Sequence, residues 1–433
     1  MAESVIVVGV QWGDEGKGKI IDLLSQRSDY VVRAQGGNNA GHSIKVGDAE
    51  YKFHLVPSGA LYPSNICLIT GGTVIDLAVL KAEINSLQQA GINLSGRLKI
   101  SSYAHVIMPY HKIFDMLYEK QKGKHAVGTT GKGIGPCYSD KALRIGFQLG
   151  EFLRLDQFKD KLEHILKIKN TELSLLFNHE PLVFSEVFDE YNHQIAFLRD
   201  FIFEDVESDL ALALDNNKKV LFEGAHGTFL DTTYGTYPYV TSSHTLASGV
   251  SAGAGIGPTR ISHVLGVVKA YTTRVGNGPL PSALSDLDSL NFMDNIAARE
   301  VGTTTGRNRR LGWFDAPLVR YAIGLNGIDS MAIMKLDILD QISKIKICVA
   351  YKLRDKIIKN PPSLTADWEL VEPVYEELDG WKVDTSQVRS FDQLPDNAKK
   401  YINRLEELCE CKVSIISIGP EREKTIIVNN ILS

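Results

Sequence analysis

The chain opens on an unbroken apolar run, Ser4 to Val10. A glycine-rich stretch follows, and then a segment, Lys19 to Ser25, whose apolar residues recur at helical spacing. A second short apolar run, Tyr30 to Ala34, comes next. Runs this short, without polar alternation, predict strands buried on both faces, as parallel sheets contain. Strand, loop, helix and strand make a β-α-β unit. It predicts an α/β domain with a large, mostly parallel central sheet, flanking helices and a P-loop-NTPase-like opening. Further strands are expected at Cys67–Thr70, Lys219–Phe222, His263–Tyr271, Ser330–Lys335, Ile345–Tyr351 and Val413–Ser417. Helical spacing is read at Val74–Gln89, Lys112–Lys120, Leu155–Lys167, Val187–Asn216 and Pro395–Cys409. The stretch near 152–217 is mostly helical and is expected to lie over one face of the sheet. Strands recur on both sides of it with no clean linker, so residues 1–433 are read as one large domain carrying helical and loop insertions.

Composition narrows this picture. With 433 residues, 44% hydrophobic and 23% charged, the chain can bury a large core. A formal net charge of -5 excludes a general polyanion binder, so any affinity for phosphate must come from local groups. The five cysteines include one close pair, Cys409 and Cys411, whose spacing does not suit a zinc knuckle; all five are read as reduced thiols. The N-terminus lacks the basic and small-residue features of a signal peptide. No apolar run approaches the roughly 18 residues that span a bilayer. A soluble, cytoplasmic protein is the expectation.

Candidate chemistry is concentrated in loops. Gly9-Val10-Gln11-Trp12-Gly13-Asp14-Glu15-Gly16-Lys17-Gly18-Lys19 lies between the first strand and the first helix, where a phosphate loop belongs. Backbone N–H groups there converge on an anion, the helix dipole adds to them, and Lys17 supplies a mobile positive charge. The loop departs from the common nucleotide-binding pattern: Gly18 follows Lys17 where Ser or Thr would hold magnesium, and Gln11 stands at the first glycine position. Asp14 is the unusual member. A carboxylate among phosphate-binding amides repels phosphate unless a cation bridges them or it serves as a base. Gln35-Gly36-Gly37-Asn38-Asn39-Ala40-Gly41-His42-Ser43 follows the second strand. Consecutive βα loops open on the same edge of a parallel sheet, so His42 can face Asp14 across one site. A carboxylate and an imidazole can move a proton while neutralising developing charge.

Three more stretches, Gly128–Pro136, Ser251–Pro258 and Gly302–Arg310, carry so much glycine that they are read as loops where backbone approaches a ligand. Met334-Lys335-Leu336-Asp337 is similar to the lysine-x-aspartate element that reads guanine, in which one carboxylate accepts from N1–H and the 2-amino group together. Arg307, Arg309 and Arg310, just past a threonine run, can grip carboxylate or phosphate.

Taken together, the run from Gln11 to Lys19, with Gln35–His42, Gly128–Pro136, Gly235–Ser243, Thr304–Arg307 and Lys335–Asp337, resembles the adenylosuccinate synthetase family, in the same order from about residue 4 to residue 427. The resemblance implies a GTP-dependent ligase that joins L-aspartate to IMP through 6-phosphoryl-IMP, with Mg2+ as cofactor, as a homodimer, in AMP biosynthesis. It implies Asp14 as general base and magnesium ligand, His42 as general acid, Lys17 as a further catalytic group, and the Gly41 carbonyl in the magnesium shell. It places GTP against Gly13, Asp14, Glu15, Gly16, Lys17, Gly18, Gly41, His42, Ser43 and Arg309, with the base at Lys335, Leu336, Asp337, Ser417, Ile418 and Gly419. It places IMP against Asp14, Lys17, Asn39, Ala40, Gly41, His42, Thr130, His226, Thr241, Val275 and Arg307, with Arg144 reaching the site of a neighbouring subunit. Aspartate would lie against Thr303, Thr304, Thr305, Gly306, Arg307, Asn308 and Arg309.

Some positions depart from the family pattern. His226 stands where Gln usually contacts the nucleotide substrate, and it is expected to keep that contact with altered geometry and some acid sensitivity. Ser43 replaces Thr, and Lys132 and Asn308 replace Arg. Three rival readings remain: a GTP-binding switch, which needs no base in its loop; another nucleotide-dependent amide-forming ligase; and a non-catalytic nucleotide-binding scaffold.

Overall fold

The structure, a computed structural model, describes residues 3–46, 49–285 and 309–432. Ten strands form the central sheet: β1 (Ser4–Gly9), β2 (Tyr30–Arg33), β3 (Ile66–Ile69), β4 (Leu98–Ser101), β5 (Ile202–Phe203), β6 (Val220–Glu223), β7 (His263–Lys269), β8 (Ser330–Met334), β9 (Lys412–Ser417) and β10 (Thr425–Ile427). Their order is β5-β4-β3-β2-β6-β1-β7-β8-β9-β10. Every neighbouring pair is parallel except the terminal hairpin β9–β10. The apolar run that opens the chain is therefore the middle of the sheet. Its side chains alternate between two cores, Ile6 and Val8 on one face and Val5 and Val7 on the other. The chain leaves β1 toward β2 and later builds the opposite wing from β7 onward. The carboxyl end of β1 is thus a switch point, where doubly wound sheets open a crevice.

Several helical and loop expectations are corrected. Val74–Gln89 is not one helix: Val74–Ile75 is a short strand, and the helix is Leu77–Gln89, started by Asp76, which accepts from the N–H groups of Ala78 and Val79. Leu155–Lys167 extends to Phe177. Val187–Asn216 divides into helices Phe184–Leu198 and Val206–Asp215. Between them the backbone extends so that Ile202 pairs with Ile100 at the sheet edge. The helices Leu77–Gln89, Pro109–Lys122, Leu155–Phe177 and Phe184–Leu198 share a second apolar core with β3 and β4. Ser251–Pro258 is not a ligand loop, because Ala247–Ala254 is helical. Its glycine serves close packing: a Cβ on Gly253 would stand 1.9 Å from the Ala34 carbonyl oxygen. The expected strand His263–Tyr271 ends at Lys269, and Thr272–Arg274 pairs instead with Arg310–Gly312.

The hairpin His42–Val46/Ala49–Phe53 and the antiparallel pair Lys344–Leu353/Val371–Asp379 complete the main elements. All five cysteines are buried and free. Among the described residues no helix is long and apolar enough to cross a membrane.

Candidate active site

A cavity of about 840 Å³ opens over the carboxyl ends of β1, β2, β6, β7, β8 and β9. From the first loop Gly13, Asp14, Gly16, Lys17 and Gly18 line it; from the second, Asn39, Ala40, Gly41, His42 and Ser43. Thr130, His226, Thr241, Val275 and Arg309 face it from the middle, and Lys335, Asp337, Ser417 and Gly419 from the far end. Sequence reasoning therefore assembled one site from residues as far apart as 13 and 419.

The helix after the first loop begins at Lys17, with Gly16 left-handed at φ 97°. A Cβ on Gly18 would lie 2.9 Å from the His42 Cβ. The hydroxyl residue of the common phosphate loop cannot stand there, because His42 occupies its space. Asp14 is also left-handed (φ 57°). Its Oδ2 accepts from Arg309 Nε at 3.1 Å and Nη2 at 2.9 Å. Its Oδ1 makes no hydrogen bond among the described residues, and the side chain is 35% exposed. Asp14 thus offers one oxygen for a proton or a cation.

His42 is held from behind. Its Nε2 lies 3.0 Å from Glu223 Oε1 and 2.7 Å from Ser58 Oγ. Ser58 donates both its N–H (3.1 Å) and its hydroxyl (3.0 Å) to Glu223 Oε2. With the serine proton committed to the carboxylate, the hydrogen between His42 and this pair belongs to Nε2. Arg33 Nη1 stands 3.6 Å from Glu223 Oε1, and the same guanidinium donates to the carbonyls of Gln35 and Gly37, fixing the second loop. Burial alone would raise the pKa of Glu223; the His42 hydrogen bond and charge together with Arg33 outweigh it and hold the carboxyl down at about 2. Glu223 is therefore a buried, permanently charged anchor for the imidazole.

Three residues expected against GTP, Glu15, Leu336 and Ile418, turn their side chains away from the cavity. Glu15 is off the cavity wall and fully buried. Its Oε1 accepts from the N–H groups of Gln11 (3.1 Å) and Gly13 (2.8 Å), and Oε2 holds Lys17 Nζ at 2.5 Å. It shapes the loop from within, and the Gly13 amide is already engaged by it. Leu336 and Ile418 turn into the core, because their neighbours Lys335, Asp337, Ser417 and Gly419 take the cavity side. Arg144, expected at a neighbouring subunit's site rather than this one, is exposed and left-handed at the end of the helix Ile134–Leu143, off this cavity. The acid sensitivity expected of His226 is overturned as well. The ring is half-buried on the cavity wall, and burial, reinforced by Arg33 and Lys17 against the pull of Asp14, pushes its pKa down to about 3. Its Nδ1 is buried without a hydrogen-bond partner in the protein. His226→Gln should therefore leave the pH–rate profile unchanged between about pH 5 and 8 while altering the KM for IMP; a shifted acid limb would contradict this.

Thr303, Thr304, Thr305, Gly306, Arg307 and Asn308 lie outside the described residues. Sequence reasoning missed Arg33, Ser58, Glu223 and Arg274. Arg33 and Glu223 had a readable signal, since each is a charge closing an apolar strand at the edge where sites form. Arg274, lying 4.9 Å over the Trp12 ring, donates to the Pro279 carbonyl at 2.6 Å and braces the turn that carries Val275.

Mg2+ fits this donor set. Among the described residues no group of three or more histidine, cysteine or carboxylate side chains converges. The one uncommitted oxygen of Asp14 is the kind of sparse, hard ligand Mg2+ uses when phosphate oxygens and water complete its shell.

Comparison with known proteins agrees with this geometry. The adenylosuccinate synthetase family matches residues 6–426. Adenylosuccinate synthetases of Brachyspira hyodysenteriae and Caldanaerobacter subterraneus subsp. tengcongensis are each 49% identical, over 99% and 98% of this chain and 99% of their own lengths. The fully ligated adenylosuccinate synthetase of Plasmodium falciparum superposes with a TM-score of 0.91 at 41% identity, covering 99% of this chain and 100% of its own. A cyanophage S-2L succinoaminodeoxyadenylate synthetase, 19% identical at a TM-score of 0.62 and covering 100% of this chain and 97% of its own, shares the fold.

Proposed function

The chain belongs to the adenylosuccinate synthetase family, and from that premise we propose how its own residues divide the reaction. The reaction is the GTP-dependent ligation of IMP and L-aspartate to adenylosuccinate, releasing GDP and phosphate, in purine nucleotide biosynthesis. Family membership removes the switch, the unrelated ligase and the scaffold as readings.

Asp14 takes the N1 proton of IMP, and the electron pair moves to O6. That oxygen attacks the γ-phosphorus of GTP, the bond to the bridging oxygen breaks, and GDP departs. His42, anchored by Glu223, and Lys17, anchored by Glu15, face the charge that develops on the transferring group. The amine of aspartate then adds to C6. Asp14 returns its proton to N1 as electron density reaches the ring and recovers it as phosphate leaves, and the departing phosphate takes the surplus proton of the attached amine. Mg2+, held by Asp14 and the Gly41 carbonyl, would neutralise phosphate charge when bound. Asn39, Ala40, Thr130, His226, Thr241 and Val275 surround IMP with Arg307; Thr303–Arg309 close on aspartate. The carrying observation is that Asp14 and His42 line one cavity, with one Asp14 oxygen uncommitted and the His42 ring fixed. The direct test follows the adenylosuccinate absorbance change while IMP, aspartate, GTP and Mg2+ are omitted in turn. Product formation must need all four, and turnover of GTP without IMP and aspartate would defeat the reading.

The working unit is a homodimer, in which Arg144 completes the partner's IMP site. What supports this is its exposure, away from the cavity of its own chain, beside Leu143 at 63% exposure. Arg144→Ala and Asp14→Asn should each be nearly inactive. Random re-pairing of the two yields mixed dimers with one intact site, or about a quarter of wild-type activity. Activity no higher than that of the separate variants would exclude the shared site.

A further inference from the structure

Lys17 and Lys19 both belong to the first loop's sequence run, yet they leave the helix start two residues apart, about 200° around its axis. Lys17 turns to Glu15. Lys19 turns to the other end of the chain: its Nζ donates to Ser417 Oγ at 2.7 Å, to the Gly419 carbonyl at 2.8 Å and to the Lys424 carbonyl at 3.0 Å. An ammonium group has three N–H donors, and all three are used on this one turn. The turn joins β9 to β10. It is closed further by Ser417 Oγ donating to the Gly419 carbonyl (3.1 Å) and by Ile418 N–H donating to the Lys424 carbonyl (2.9 Å). Ser417 and Gly419 line the same cavity as Lys335 and Asp337, and Lys19 itself borders it.

We infer that Lys19 is a positioning residue for the nucleotide base: it pins the Ser417–Gly419 turn in the shape that receives guanine and takes no part in gripping phosphate. This rests on the assignment of Asp337, Ser417 and Gly419 to the base. The commitment of all three donors to one turn, more than 390 residues away in sequence, carries it. Burial lowers the Lys19 pKa to about 8, while Asp337, Glu421 and Glu423 oppose that fall, so the group stays charged at neutral pH and the clamp holds. The ammonium thereby ties the phosphate loop to the base pocket, beside the Arg422–Asp22 ion pair that joins the same turn to the same helix.

Calorimetric binding of GTP and of inorganic tripolyphosphate, each with Mg2+ and without IMP or aspartate, tests this. Tripolyphosphate occupies the phosphate loop but has no base. Lys19→Met should weaken GTP about tenfold or more and leave tripolyphosphate within about twofold, as loss of charge-assisted hydrogen bonds at the base end alone requires. Equal weakening of both ligands would make Lys19 a phosphate contact, and no weakening of either would remove its role; each result overturns the inference. Lys19→Gln, which keeps an amide donor, should fall between, so the answer survives if the methionine variant does not fold. Asp337→Asn separates the two layers of the argument. If it leaves GTP binding unchanged, the base assignment itself fails; if it weakens GTP while Lys19→Met does not, only the role of Lys19 fails.

Discussion

Asp14→Asn should fold, bind GTP and lose about a thousandfold in kcat, the scale of removing a positioned general base. The amide has the shape of the carboxylate but cannot accept the N1 proton, so O6 remains a poor nucleophile. Little stability is at stake. The ion pair with Arg309 is over a third exposed on the Asp14 side, and such pairs contribute about 1 kcal/mol or less. Single-turnover kinetics and GTP calorimetry on the same preparation separate the two effects. A retained kcat would remove Asp14 from the role of base, whereas lost GTP binding would show that it serves chiefly through the metal.

Glu223→Gln should lower kcat by about a hundredfold, as loss of the group orienting a functional histidine does elsewhere, and should also destabilise the fold. Its carboxylate holds His42, Ser58 and Arg33 together in the interior. Neutralising it leaves the Arg33 guanidinium buried without its counter-ion, at a cost of about 3 kcal/mol. The pH dependence has a definite sign. The folded-state pKa lies at about 2, below its ordinary value of 4.5, so this contribution is complete above about 4.5 and disappears as pH falls toward 2. Urea unfolding should show a deficit in the variant near neutral pH that shrinks in acid. An unchanged kcat with the same deficit would make Glu223 a purely structural anchor.

What the sequence revealed and what it hid follow from how local each signal is. The apolar run of β1, the glycines after it and the helical spacing beyond are contiguous, so the centre of the sheet and its phosphate loop were readable directly. Assigning His42 to the same edge as Asp14 needed only the rule for parallel strands, and both line one cavity. The errors arose where distant packing decides. Gly253 looks like a loop residue until Ala34 and Gly72 are seen against it. Residues 199–203 continue a helical apolar pattern, but after a 3-10 turn at Arg199–Phe201 pairing with β4 straightens Ile202 and Phe203. Glu15 looks like one more loop charge, and only the fold shows it turned inward to hold the loop's own amides. Lys19 reads as part of a phosphate motif, although its partners lie at the opposite end of the chain. Leu336 and Ile418 read like their cavity-facing neighbours, although adjacent side chains near a strand end face opposite ways.

The account stands on phosphoryl transfer to the purine oxygen before the amino acid acts, with Asp14 as the initiating base. GTP carrying heavy oxygen at the β–γ bridge, incubated with enzyme, IMP and Mg2+ but no aspartate, tests that most directly. The account predicts that label moves from the bridge into the other β-phosphate positions with the wild-type enzyme and stays in place with Asp14→Asn. Label that remains in the bridge with the wild type, or that moves equally fast in the variant, would contradict it.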